Sequence, residues 1–212
     1  MTAEKPPRGN IFEDSWQIRG IEPFLMDMAA QPEWAEFILD KIMARNMKCA
    51  VAGAEAGVDL LLTADDVATQ MSMMFSAGQW RHFIKSRWEK IYSAARAIKP
   101  DIEICYHSDG KIEPIIAELI EIGVTILNPI QPECLDPLEI KRLYGDKIVF
   151  EGTIGTQTTM PFGFAGDVRN LVRERAGTLG KDGALILCPT HVLEPEVPVE
   201  NVLAFIDAAR SL

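Results

Sequence analysis

The stretch IEICYHSDGKIEPIIAELIEIGVTILN (102–128) decides the fold class. It opens on IEICY (102–106), a short apolar run that suits a buried strand. Ile112, Ile115, Ile116, Leu119 and Ile120 then recur at helical spacing, and Gly123 ends that helix. VTILN (124–128) is a second strand. A helix joining two strands over so short a span makes a βαβ unit, with the strands parallel.

The same alternation extends in both directions. Upstream, VDLLLTAD (58–65) is a compact apolar run ending in acids, and it reads as a buried strand. Trp80, Phe83, Ile84, Trp88, Ile91, Tyr92 and Ala95 draw a helical core stripe that stops near Pro100. After Pro32, the spacing of Trp34, Phe37, Ile38, Ile42 and Met43 predicts an amphipathic helix over 32–50. Downstream come a short helix (136–144), the strand IVFEG (148–152), a helix (165–178) and the strand ALILC (184–188). A last helix (198–210) carries Val199, Val202, Leu203 and Ile206 on one face. Residues 1–23 are polar and punctuated by Pro and Gly, so they read as an N-terminal arm, with 24–212 as the domain.

Five strands thus start near 58, 102, 124, 148 and 184, each followed by a helix. This is the α/β class with a parallel sheet, either closed into a barrel or doubly wound. No GxGxxG or GxxxxGK[ST] follows any strand, which counts against the common nucleotide-binding folds. At 212 residues the chain is short for a TIM barrel, which typically needs about 250.

Composition narrows the function classes. With 48% hydrophobic and 25% charged residues, the chain is globular rather than disordered. A net charge of −10 and the lack of any Lys/Arg run argue against nucleic acid and anionic lipid as partners. No apolar stretch approaches the roughly 20 residues of a membrane span, and the N-terminus has no signal-peptide core. Cys49, Cys105, Cys134 and Cys188 are scattered, which fits a reducing cytoplasm.

In parallel α/β architectures, chemistry collects at the carboxyl ends of the strands. Asp65, Asp66 and Gln70 follow the first strand, and His107, Ser108 and Asp109 the second. Asn128 and Gln131 follow the third; Glu151, Thr153 and Gln157 the fourth; Cys188, Thr190 and His191 the fifth. Bland readings exist for each: Asp65-Asp66 capping the next segment, Ser108 or Asp109 capping a helix near 111, Cys188 as core. Convergence on one rim favours function. His107 and Asp109, with His191 from another strand, form a candidate metal set of two imidazoles and a carboxylate, suited to zinc with an open position.

RGIEPFLMDM (19–28), LLTADDVATQ (61–70), YHSDGKI (106–112), EGTIGTQ (151–157) and LCPTHVLEPEVPVENVLAFIDAAR (187–210) give the chain a specific look. On these segments it resembles the uroporphyrinogen decarboxylase superfamily, over about residues 11–211. The superfamily holds decarboxylases and methyltransferases that serve corrinoid proteins. The resemblance implies a TIM-type (β/α) barrel, here incomplete: about five βα units plus an arm, corresponding to the C-terminal strands. In the thiol-methylating branch zinc is held by a His-x-Cys pair and a later Cys, and these fall on His107, Asp109 and His191. Two of three ligands are therefore harder than the pattern, which disfavours activation of a soft thiol. The decarboxylase branch works without metal through an N-terminal arginine-rich loop and aspartate, a region that the resemblance does not reach.

The leading expectation is thus a methyltransferase-like enzyme moving a methyl group between a small methylated or methoxylated compound, a corrinoid protein and an acceptor. His107, Asp109 and His191 would hold zinc, with His107 and His191 also catalytic beside Asp65 and Asp66. Gln70, Asn128, Glu151 and Gln157 would bind substrate. The alternatives are a metal-free carboxy-lyase, and a non-catalytic or partner-completed barrel fragment whose open edges a second copy would cover.

Overall fold

A computed structural model describes residues 3–4 and 9–212. Six strands alternate with helices: β1 (Ala3–Glu4), β2 (Leu60–Ala64), β3 (Glu103–His107), β4 (Ile126–Asn128), β5 (Val149–Glu151) and β6 (Leu185–Ile186). All neighbours pair in parallel, and the spatial order is β1-β2-β3-β4-β5-β6. That order excludes the doubly wound alternative, whose strand order reverses at a switch point. A single winding direction is the topology of a TIM barrel, here an open arc with β1 and β6 as its edges.

The pleat separates two cores. Leu61, Ile104, Tyr106, Leu127 and Phe150 point outward and join one large cluster with Trp80, Trp88, Ile91 and Tyr92. These aromatics lie on α4 (Ala77–Trp80) and α5 (Ser86–Ile98), joined by a π-helical turn (Arg81–Lys85), as their helical stripe requires. Alternate residues point into the arc, where Leu60, Cys105 and Ile126 form a smaller cluster with Leu62 and Val149. Past that cluster, toward the carboxyl ends, the inward positions become His107, Asn128 and Glu151.

Several expectations need correction. The supposed arm is helical from Phe12: α1 (Phe12–Arg19) and α2 (Ile21–Ala30) run through it, and Ala3–Glu4 adds a sixth strand. Ile11, Phe12 and Phe24 are fully buried, so three apolar side chains in a polar context anchor the segment to the core. In α3 (Pro32–Glu55) the buried line is Ala35, Leu39, Ile42, Asn46, Ala50 and Gly53, whereas Trp34 and Phe37 stand in solvent. Small side chains let helices approach closely, and this overrides the hydrophobicity of the larger residues. The same happens in α10 (Val199–Arg210), which turns Asn201, Ala204 and Ala208 inward and leaves Val199 and Leu203 exposed. A 3₁₀ turn (Glu113–Ile115) precedes α6 (Ile116–Glu121), and neither Ser108 nor Asp109 caps it. The remaining helices are α7 (Pro137–Tyr144), α8 (Thr159–Phe162) and α9 (Ala165–Thr178). Among the described residues, no helix is long and apolar enough to cross a membrane.

Candidate active site

Register brings the site together. Ala64 pairs with His107, and His107 with Asn128, so the residues just beyond these positions share one rim. The two neighbouring aspartates diverge there. Asp65 points away from the mouth and is fully buried. Its Oδ1 accepts from the Ile11 and Phe12 amides at 2.8 and 2.7 Å, and its Oδ2 accepts from Trp88 Nε1 at 2.9 Å. Asp65 therefore caps α1, not the segment that follows it, and it does not reach the cleft as a catalytic group. Burial pushes its carboxyl well above the usual range, against the hydrogen bonds from Trp88 and the α1 amides.

Asp66 faces the mouth, where it meets His107 and Asp109. Ligand-capable atoms of all three lie within 4.8 Å of one another. His107 Nε2 is 3.8 Å from Asp66 Oδ1 and 3.9 Å from Asp109 Oδ2. His191 reaches the cluster from the loop after β6, its Nε2 also 3.9 Å from Asp109 Oδ2. The grouped donors are therefore Asp66, His107 and Asp109, two of them from the expected trio, while His191 stands at the edge, near Asp109 and 6.4 Å from His107 between ring centroids. Asp109 is fixed by its own backbone, whose amide donates to Asp66 Oδ1 at 2.8 Å. Its carboxyl is pushed up, first by burial and then by the Asp66 charge, with His107 and His191 opposing.

The loop that carries Asp109 depends on Gly110, at φ +86°, where a Cβ would come within 2.5 Å of the Thr69 carbonyl oxygen. Glycine alone lets these two rim loops touch. The Gly110 amide donates to Gln131 at 3.1 Å.

A cleft of about 380 Å³ opens beside the cluster, walled by Asp109, His191, Gln70, Gln157, Glu194 and Glu196 among others. Gln70 Nε2 donates to Gln157 Oε1 at 2.5 Å, linking the loops after β2 and β5 across it. Gln70 and Gln157 thus both line the cleft. Asn128 and Glu151 do not line the cleft. Asn128 Oδ1 meets His107 Nδ1 at 2.6 Å, and Glu151 accepts from the Cys105 thiol at 3.4 Å inside the arc.

The sequence reading missed Glu13, which sits in the segment taken as an arm. Its Oε2 accepts from the Asp66 amide at 3.5 Å, and burial followed by the Asp66 charge raises its carboxyl pKa. Only the apolar pair Ile11-Phe12 signalled that this segment is packed. Burial and the nearby Glu151 push the Cys188 thiol up to about 11, which disfavours the thiolate at neutral pH and so a nucleophilic role.

The comparisons agree with this architecture. A solved methyltransferase from Methanosarcina mazei superposes with a TM-score of 0.74 at 22% identity, over 95% of this chain and 56% of that one. The chain therefore spans little more than half the length of that structure. No curated protein matches the sequence. The pattern described as uroporphyrinogen decarboxylase (URO-D) matches residues 16–212, nearly the whole length, and the chain belongs to that family.

Proposed function

We propose that this protein is a zinc-dependent methyltransferase-like enzyme, moving a methyl group between a small methylated or methoxylated compound, a corrinoid carried by a partner protein, and an acceptor. The observation that carries this reading is the cluster of Asp66, His107 and Asp109 beside an open cleft, with His191 next to Asp109. Two imidazoles and two carboxylates fit a hard to borderline divalent ion. Tetrahedral ligands at zinc stand roughly 3.3 Å apart, given metal–ligand bonds near 2.0–2.1 Å. The three separations His107–Asp66, His107–Asp109 and His191–Asp109, at 3.8–3.9 Å, close to that by small side-chain rotations, whereas the two imidazole centroids stand 6.4 Å apart and His191 would have to swing in to join.

Bound zinc would supply Lewis acidity, acidifying an acceptor or polarising a leaving oxygen. The chain's own residues do the rest. Gln70 and Gln157 orient the substrate at the cleft wall. Glu13, half-buried at the edge of the cluster, has its carboxyl pKa raised by burial and the Asp66 charge, which suits it to proton transfer there. The carboxylates of Asp109, Glu194 and Glu196 line a cleft that has no lysine or arginine among the described residues of its walls. That lining disfavours a polycarboxylate tetrapyrrole and so supports methyl transfer over the decarboxylase alternative.

Elemental analysis of zinc-supplemented protein tests the metal: about one equivalent is expected in the wild type and none in His107→Ala. Methylcobalamin then tests the activity, its visible spectrum reporting demethylation in the presence of methyl acceptors. Zinc-free wild type, or His107→Ala with undiminished zinc, overturns the reading.

A further inference from the structure

His107 offers two ring nitrogens, and only one can turn toward the carboxylates. The ring stands on the last residue of β3, inward-facing, directly beside its register partner Asn128 on β4. Nδ1 lies 2.6 Å from Asn128 Oδ1, while Nε2 is the atom that faces Asp66 and Asp109. Oδ1 can only accept, so this contact requires the imidazole proton on Nδ1. In the neutral ring the lone pair then sits on Nε2, aimed at the donor cluster.

Asn128 is itself held on two sides. Its carbonyl accepts from the Ser108 amide at 2.9 Å, which ties it to the residue following His107. Its side-chain amide lies over Gly152, where a Cβ would come within 3.3 Å of Nδ2. The residue after β5 is thus bare where the Asn128 amide passes.

We infer that Asn128 is a positioning residue that locks His107 in the Nδ1–H tautomer, so that Nε2 is the atom presented to a divalent cation. Asn128 itself touches neither metal nor substrate. The consequence for metal affinity rests on the zinc reading above; the tautomer does not. Partners of this kind typically change metal affinity by about 10- to 100-fold.

The test is nitrogen-15 NMR of the full chain labelled at histidine, in metal-free form, with the His107 signals identified by their loss in His107→Gln. The wild type is expected to show the Nδ1–H pattern at His107, and Asn128→Ala to shift it toward Nε2–H. Asn128→Asp restores the wild-type pattern, because its carboxylate accepts from the same Nδ1–H. In chelator-competition titrations with zinc, Asn128→Ala is expected to bind roughly 10- to 100-fold more weakly, with Asn128→Asp restoring the affinity. An Nε2–H pattern in the wild type overturns the proposal and needs no variant to fold. So does an unchanged tautomer, or unchanged zinc affinity, in a folded Asn128→Ala protein. A wild type that binds no zinc overturns the metal reading alone, and the tautomer still decides the role of Asn128.

Discussion

Asp65 and Asp66 are chemically identical neighbours with opposite tasks, because successive residues leaving a strand point to opposite faces of the sheet. Removing the Asp65 carboxylate strands the amides of Ile11 and Phe12 and the Trp88 indole N–H in a dry interior. Asp65→Ala is expected to cost about 2–3 kcal/mol in urea unfolding, from unsatisfied buried donors and a lost helix cap. Asp66→Ala, at the half-exposed mouth, is expected to leave the urea midpoint nearly unchanged and to weaken zinc binding instead. The pH dependence follows from the raised pKa of Asp65, since the native state binds that proton more tightly than the unfolded chain. Its favourable contribution is full below the unfolded value of 3.8 and is lost as pH rises through the folded value. Relative to Asp65→Asn, the wild type should therefore lose stability as pH rises across that window. Matched urea titrations of the two proteins would show no relative slope if the group stayed ionised throughout.

Thiol reactivity belongs to the same scale. Cys105 is raised further than Cys188, chiefly by burial and then by Glu151, so neither supplies thiolate at neutral pH. Iodoacetamide at pH 7.5 is expected to leave both unmodified in the native protein and to alkylate them in urea, as read by peptide mass spectrometry. Rapid native labelling of Cys188 would restore it as a candidate nucleophile.

Among the elements, the turn from β3 into α6 matters most, because HSDG places two members of the His-carboxylate cluster, a buried hydroxyl and an obligatory bend in four positions. Gly110→Ala adds backbone strain of order 1–3 kcal/mol at positive φ and a clash with the Thr69 carbonyl oxygen. It is expected to lower the melting temperature and zinc affinity together. A fall in stability with intact zinc binding would mean that the turn does not position Asp109. The strands and helices from 102 to 152 were legible in the sequence because each buries one face, and period 2 or 3.6 betrays that face. The outward turn of Trp34 and Leu203 was not legible. Helix packing there is set by Ala35, Ala50, Gly53, Ala204 and Ala208, whose smallness carries little hydrophobic signal.

On the whole-molecule scale, the described residues form an arc of six strands with β1 and β6 at its ends, and Ile186 on β6 is 41% exposed. Val199, Leu203 and Ile206 add apolar surface on α10. Unpaired edges and such surface favour association. Sedimentation velocity over a concentration series is expected to show reversible self-association, and Leu203→Asp to weaken it. A monomer at every concentration would remove the second copy as the cover for these edges.

The alternation of strands and helices from β2 onward, the absence of nucleotide loops and the rim identity of His107, Asp109 and His191 were all present in the sequence. Periodicity and strand-end position are local properties, and a linear reading captures them. Which of two adjacent aspartates enters the cluster, that Glu13 returns to it from the first helix, and that Asn128 meets the His107 ring were decided by tertiary structure. Each depends on register and packing between residues far apart in the chain, where one step along a strand turns a side chain from the cleft to the core.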